Sequence, residues 1–255
     1  MISTVFWDWN GTLVADVPLV VRVNNQVFAN HGFRLTDEEE YRRLFCFPVK
    51  DYYEKMGVSE ADYYRIAGEW SQAYHQQFPG TPLSPHAAET VRRLHDAGLR
   101  MVILSASKET LLLEQLAQYP ELDGCFDRVM GLTDIYAVSK VQRGVDFLRE
   151  AGIPGDEAVF LGDTLHDAEV ARAMGCQCLL IAGGHQKEET LRASGATVLP
   201  TLREAGDWIM ERRGHEASES FARADRGPAC HPCHRFDRGG SRPPGGNGPG
   251  QPTQG

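Results

Sequence analysis

Between residues 87 and 212 the chain alternates short strand-like and helix-like segments, and this alternation restricts the fold more than any other feature. Apolar residues at helical spacing cover residues 87–97 and stop at Gly98, and a strand run over 100–104 follows and ends at Ser105. The pattern then predicts helix over 109–118, strand over 128–130, helix over 139–151 up to Gly152, and strand over 158–161 up to Gly162-Asp163. A helix over 165–174 closed by Gly175, a strand over 178–181, a helix over 187–193, a short strand over 197–199 and a helix over 202–212 complete the series. Strands alternating with helices of this length imply βαβ units, hence an α/β protein with a parallel sheet and helices on both faces.

One further strand stands apart at the start, in VFWDWNGTL (residues 5–13). Val5, Phe6 and Trp7 are strand formers, the run stops at Asp8, and Gly11 follows as a turn residue. Ligands of open α/β sheets bind beyond the carboxyl ends of such strands. Asp8 is therefore placed where a carboxylate can act as nucleophile or metal ligand.

Residues 16–79 carry only helical signals: apolar spacing over 17–31 stopped by Gly32, a capping box from Thr36 to Glu39, and helices over 49–56 and 61–78. This block is rich in aromatic residues, most of them expected to form its own core and a few to line a pocket. It reads as a helical subdomain inserted after the first strand. The turn-rich stretch Pro79-Gly80-Thr81-Pro82 returns the chain to a core made of residues 1–15 and 80–213. Residues 214–255, rich in Gly, Pro and Arg, lack the apolar content for a packed core and are expected to be disordered. Their Cys230-His231-Pro232-Cys233-His234 run fits a haem-attachment spacing, but without an export signal a passive tail is the simpler expectation.

Composition limits the function classes. Hydrophobic residues are 42% of the 255 and the formal net charge is −9, as in a globular protein with no nucleic-acid surface. No apolar run approaches the ~20 residues of a membrane span, and the first strand begins where a signal peptide would need a basic and then an apolar region. The expectation is a cytoplasmic protein, monomer or homodimer, with no membrane or nucleic-acid partner, whose scattered cysteines are free thiols.

Polar residues at the strand ends suit one chemistry. Asp8 and Asn10 end the first strand, Ser105 the second, and Asp163 a later one, with Asp167 four residues on; Lys140 opens a helix. Carboxylates from separate strands can hold a hard divalent ion such as Mg²⁺. A hydroxyl and an ammonium beside it would hold a phosphoryl group by its oxygens, which is most of what phosphoryl transfer requires. Lys108 rivals Lys140 for this role.

With these residues in place, DWNGTL (8–13), ILSAS (103–107), SKVQRG (139–144) and FLGDTLHD (160–167) resemble, in order, the four motifs of the haloacid dehalogenase superfamily. The match spans about residues 1–212, and the insert resembles the C1-type cap of phosphoglycolate phosphatase-like members. The resemblance implies a Rossmann-like core with an α-helical cap and a Mg²⁺-dependent phosphatase acting on a small phosphorylated metabolite. It implies Asp8 as the nucleophile that forms an aspartyl-phosphate. Mg²⁺ is expected on Asp8, Asp163 and the Asn10 backbone carbonyl, with Asp167 supporting the metal waters or orienting Lys140. Phosphoryl contacts are expected from Gly11, Thr12, Ser105, the Ala106 amide and Lys140.

One position departs from the pattern. Phosphatases of this family usually carry Asp two residues after the nucleophile as the acid–base group, and here Asn10 stands there. An amide cannot shuttle a proton. Three expectations follow: a phosphatase with another proton carrier, for which His166 is a candidate; a phosphonoacetaldehyde hydrolase-like enzyme that uses Lys50 as a Schiff-base lysine; or a non-catalytic member that binds a phosphorylated ligand or a protein. Arg42, Arg43 and Lys50 are the cap cations able to recognise a substrate carboxylate.

Overall fold

The computed structural model describes residues 1–132 and 140–213. Six strands form one parallel sheet in the order β3-β2-β1-β4-β5-β6. They are β1 (Thr4–Trp7), β2 (Arg100–Lys108), β3 (Arg128–Leu132), β4 (Ala158–Gly162), β5 (Gln177–Ile181) and β6 (Thr197–Leu199). The remaining elements are α5 (Ala87–Asp96), α6 (Glu109–Leu116), α7 (Lys140–Ala151), α8 (Leu165–Met174), α9 (Glu188–Arg192) and α10 (Leu202–Arg212). Helices α1 (Val17–Asn30), α2 (Glu38–Leu44), α3 (Val49–Lys55) and α4 (Glu60–Gln77) lie in sequence between β1 and α5.

β1 is central because both its faces are covered. Side chains alternate across a strand. Val5 and Trp7 therefore join one apolar cluster with Val91 and Leu94 of α5 and Ile209 of α10. Phe6 joins a second cluster on the opposite face with Leu148 of α7 and Val170 and Met174 of α8. Phe6 stacks on Phe160 of β4 at 6.3 Å between centroids and meets Phe147 edge-on at 5.7 Å. The sheet order reverses at β1, since the chain proceeds outward to β2 and β3 and then returns to β4 on the other side. Such a switch point opens a crevice at the strands' carboxyl ends.

The register makes that crevice chemically dense. Trp7 is level with Ile103 of β2 and Leu161 of β4, so the residues just beyond β1 and β4 emerge side by side. The Asp8 amide continues the ladder by donating to the Leu161 carbonyl at 2.8 Å.

Most predicted elements lie within one or two residues of the observed ones, with two differences. The cap of α2 is Asp37, whose side chain accepts from the Glu40 amide at 2.8 Å, and not Thr36. Thr36 is unavailable because its backbone amide and carbonyl are both held by the Asn25 side chain. β2 continues past Ser105 to Lys108, with a register shift against β3 between Leu104 and Lys108. The chain thus stays extended along the crevice where the sequence predicts it to turn away.

The four inserted helices do not form a core apart from the sheet. Val20, Phe28, Tyr41, Tyr52 and Ile66 belong to the same contiguous apolar cluster as Trp7 and Leu161. Among the described residues no helix is long and apolar enough to cross a membrane. Residues 214–255, including the Cys230–His234 run, and Ser139 lie outside the described residues.

Phe28 is fully buried and meets Phe33 and Tyr53 edge-to-face. Truncation to alanine leaves a cavity, so Phe28→Ala is expected to lower unfolding free energy by about 3–5 kcal/mol. Chemical denaturation followed by fluorescence checks this, and a single transition is expected because insert and sheet share one core.

Candidate active site

Asp8, Asp163, Asp167 and Lys140 meet at the crevice. Lys140, the first residue of α7, donates to Asp8 Oδ1 at 2.5 Å and to Asp167 Oδ1 at 2.7 Å, and its side chain is only 3% exposed. Asp167 sits in the first turn of α8 in a reciprocal capping box with Thr164. Its Oδ2 accepts from the Thr164 hydroxyl at 2.7 Å and from the Thr164 and Asp163 amides. Asp163 accepts from the Thr12 hydroxyl at 3.0 Å and from the His185 amide at 2.6 Å. Backbone packs so closely on this carboxylate that a Cβ at Gly11 or Gly184 would come within 2.3 Å of its Oδ2. Gly11 also has φ +73°, so glycine is required there on both counts.

The electrostatics show a site short of positive charge. One ligand oxygen from each of Asp8, Asp163 and Asp167 lies within 4.8 Å of the others, and all three residues are buried. Burial, outweighing the pull of Lys140, pushes the Asp8 carboxyl up to about 8. Burial likewise pushes Asp163 up to about 6, against the opposing effect of His185. Asp167 is held below its ordinary range because Lys140 and Thr164 overcome the burial penalty. Lys140 is raised, since burial is outweighed by the charges of Asp167 and Asp8. A hard divalent cation with oxygen ligands would supply the charge that lets Asp8 and Asp163 ionise together, so these residues fit such an ion. Both Asp167 oxygens are already engaged. Its observed work is to hold Lys140 and cap α8, and it shares with Asp163 the condition that both oxygens already accept hydrogen bonds.

Ser105 is buried at the bend of β2, with its hydroxyl oxygen accepting from the Ser107 amide at 3.1 Å. Ser105, Ala106, Ser107 and Lys108 all line the cavity above Asp8. Gly11 and Thr12 do not. The Gly11 amide is spent on the Val14 carbonyl and Asp16, and the Thr12 hydroxyl on Asp163, so both support the site from behind. His166 is also outside the cavity lining, stacked on Phe47 at 4.6 Å with Glu169 beside it. Lys50 pairs with Glu60 at 2.5 Å on a separate surface depression of the insert. It does not reach Asp8, which removes the support for a Schiff-base lysine there. Arg42 and Arg43 are turned to Glu38 and Glu40.

A second buried network was not legible in the sequence motifs. Asp16, fully buried, accepts from Asn10 Nδ2 at 2.9 Å, the Gly11 amide at 2.8 Å and the Tyr74 hydroxyl at 2.6 Å, and pairs with His185 Nε2 at 3.3 Å. The other His185 nitrogen meets the Tyr41 hydroxyl at 2.8 Å. Asn10 also donates to the Tyr74 oxygen at 2.8 Å and accepts from Ser107 at 2.8 Å, so its amide is held on three sides. Asp16 looks like an ordinary helix-boundary residue in the sequence. His185 had a weak signal: it follows Gly183-Gly184 beyond the strand at 177–181, on the edge that carries Asp8 and Asp163.

The cavity encloses about 330 Å³. Asp8, Asn10, Lys140, Asp163 and the segment 105–108 are at its sheet end. The insert contributes Val20, Asn24, Tyr41, Phe45, Phe47, Val49, Tyr52, Tyr53, Trp70, Ser71 and Tyr74.

Burial alone would lower the His185 pKa, but Asp16 outweighs it and raises the group to about 9. A raised histidine contributes stability that is complete below its unfolded value and is lost as pH climbs through the folded one. Stability is therefore expected to fall between pH 7 and 10, by on the order of 2 kcal/mol. Urea unfolding across that range, compared with His185→Gln, checks it: the slope should flatten in the variant.

A family model described as haloacid dehalogenase-like hydrolase matches residues 5–181. The phosphoglycolate phosphatase of Synechococcus elongatus is 23% identical over 209 residues, covering 82% of this chain and 92% of that protein. The phosphoglycolate phosphatase of Pseudomonas fluorescens is 24% identical over 210 residues, covering 78% and 76%. Among solved structures, a predicted phosphatase from Clostridium acetobutylicum superposes with a TM-score of 0.74 at 16% identity, over 83% of this chain and all of that one. CbbY from Rhodobacter sphaeroides, solved as a D10N mutant with xylulose-(1,5)bisphosphate, gives 0.65 at 22% identity over 81% and 99%. Motif order, sheet topology and the family match agree: the chain belongs to the haloacid dehalogenase-like hydrolases.

Proposed function

We propose that the chain is a Mg²⁺-dependent phosphatase that hydrolyses a small phosphorylated metabolite through an aspartyl-phosphate on Asp8. The observation that carries this is the Lys140 ammonium buried between Asp8 and Asp167, with Asp163 alongside. It keeps a nucleophile, a fixed cation and a metal-ligand pair at one sheet edge. Phosphoglycolate phosphatases among its relatives support the reaction class.

In this reading the Asp8 carboxylate attacks phosphorus, the bond from phosphorus to the substrate oxygen breaks, and the alkoxide leaves and takes its proton from solvent water. Water then cleaves the acyl phosphate and restores Asp8. Lys140 orients Asp8 and offsets charge on the phosphoryl oxygens, together with Ser105 and the Ala106 amide. The divalent ion, held by Asp8, Asp163 and the Asn10 carbonyl, would supply further charge neutralisation. The helices over residues 17–77 act as a cap that excludes water from the cavity.

Asn10 sets the speed. Its amide cannot protonate the leaving oxygen, and loss of an acid–base group typically costs ~10²–10⁴-fold. Asp8→Asn is expected to abolish phosphate release from p-nitrophenyl phosphate, and Lys140→Met to lower it at least ~10²-fold, both read by a phosphate-release assay with Mg²⁺. Chelation with EDTA should remove activity and Mg²⁺ should restore it. Absence of release together with absence of beryllofluoride capture at Asp8 would favour a phospholigand-binding protein instead.

Asn10→Asp places a carboxylate 2.9 Å from an Asp16 oxygen in a buried site. The two must share a proton. The variant is expected to gain about 10–100-fold in turnover near pH 6, with the gain shrinking toward pH 8, and to lose about 1–3 kcal/mol of stability. A pH–rate profile beside thermal unfolding measures both.

A further inference from the structure

Resting on the phosphatase reading, the geometry points to the class of alcohol involved: an uncharged, largely apolar organic group that bears one phosphate and no second anion. Among the described residues, every charged side chain lining the cavity lies at its sheet end or in the Asp16–His185 pair. The residues that 17–77 contribute carry no charge, and seven of them are aromatic.

The two buried cations at the sheet end are assigned. Lys140 is held between Asp8 and Asp167, and His185 is buried against Asp16 and Tyr41. Lys108 closes β2 three residues beyond Ser105, is exposed and has no ion pair among the described residues, and in this proposal it pairs with the phosphoryl group itself. The basic residues of the insert that could have met a substrate anion face carboxylates elsewhere: Arg42 to Glu38, Arg43 to Glu40 and Lys50 to Glu60. At the wall formed by residues 17–77 a carboxylate or second phosphate on the organic group would lie against aromatic rings without a counter-cation, which is costly where the rings displace its water. An apolar group gains by covering the same rings.

The neutral polar groups of this wall refine the class. Trp70 lines the cavity stacked on Tyr74 at 4.9 Å, and its Nε1–H is buried with no partner among the described residues. Ser71 adds a hydroxyl, while the Asn24 amide donates to the Tyr52 hydroxyl at 3.0 Å. The Ser71 hydroxyl matches a hydroxyl, ether or carbonyl oxygen on the substrate. A volume of about 330 Å³ lies near the lower limit for ligand cavities, so one ring-sized group with its phosphate fits.

Binding of non-hydrolysable phosphonates separates recognition from leaving-group chemistry. The full chain with Mg²⁺ is titrated calorimetrically with benzylphosphonate and with phosphonoacetate, each with and without inorganic phosphate as competitor. Benzylphosphonate is expected to bind at least about tenfold more tightly, with phosphate displacing both. Trp70→Ala should remove most of that preference while leaving phosphonoacetate unchanged, and Phe47→Ala carries the same comparison if the first variant does not fold. Equal or tighter binding of phosphonoacetate, displaced by phosphate, overturns the substrate class and leaves the phosphatase reading intact. Benzylphosphonate that phosphate does not displace, or no binding of either compound, overturns both.

Discussion

The Lys140 ammonium buried between Asp8 and Asp167 is the contact on which the site depends. A charge taken out of water is tolerated only when its partners are fixed and hydrogen-bonded. The fold provides this through three independent elements. β1 ends level with β4 and delivers Asp8. The capping box of α8 immobilises Asp167. The start of α7 brings in the lysine. Each depends on the sheet register, since a one-residue slip would turn Asp8 to the other face.

Around this contact the chain builds a second one of the same kind. Asp16 and His185 form a buried ion pair surrounded by Asn10, Gly11, Tyr41 and Tyr74. Tyr41 and Tyr74 come from the insert, and Asn10 and His185 from the sheet edge. Their hydroxyls therefore fasten the insert over the crevice by groups that also surround the cavity. This network also accounts for the amide at Asn10. A carboxylate there would face Asp16 across a buried gap, whereas Asn10 Nδ2 donates to it.

The aromatic residues of the insert illustrate how sequence and structure divide the information. Their abundance suggests a core of the insert's own, whereas Phe28 and Tyr52 are buried in a cluster continuous with Trp7 and Leu161 of the sheet. Yet Tyr41, Tyr52 and Tyr53 serve both as core and as cavity wall, because an aromatic ring can pack one face inward and present an edge to a ligand. Periodicity does not distinguish these roles. The same holds for cations: Lys50 and Lys140 are equally plain in the sequence, but one is exposed beside Glu60 and the other is buried beside Asp8.

The sequence by itself determined the α/β class, the order of the elements and the residues at the strand ends, because strand and helix periods and glycine stops are local properties. Asp8, Ser105, Lys140, Asp163 and Asp167 are legible for that reason. Tertiary structure alone decided that Asp167 serves Lys140, that Gly11 and Thr12 stand behind the site, and that His166 and Lys50 stand away from it. It also paired Asp16 with His185 across 169 positions of chain. The physical reason is that a pKa, a buried ion pair and a cavity wall depend on which distant atoms are brought together, and spacing along the chain does not encode that directly.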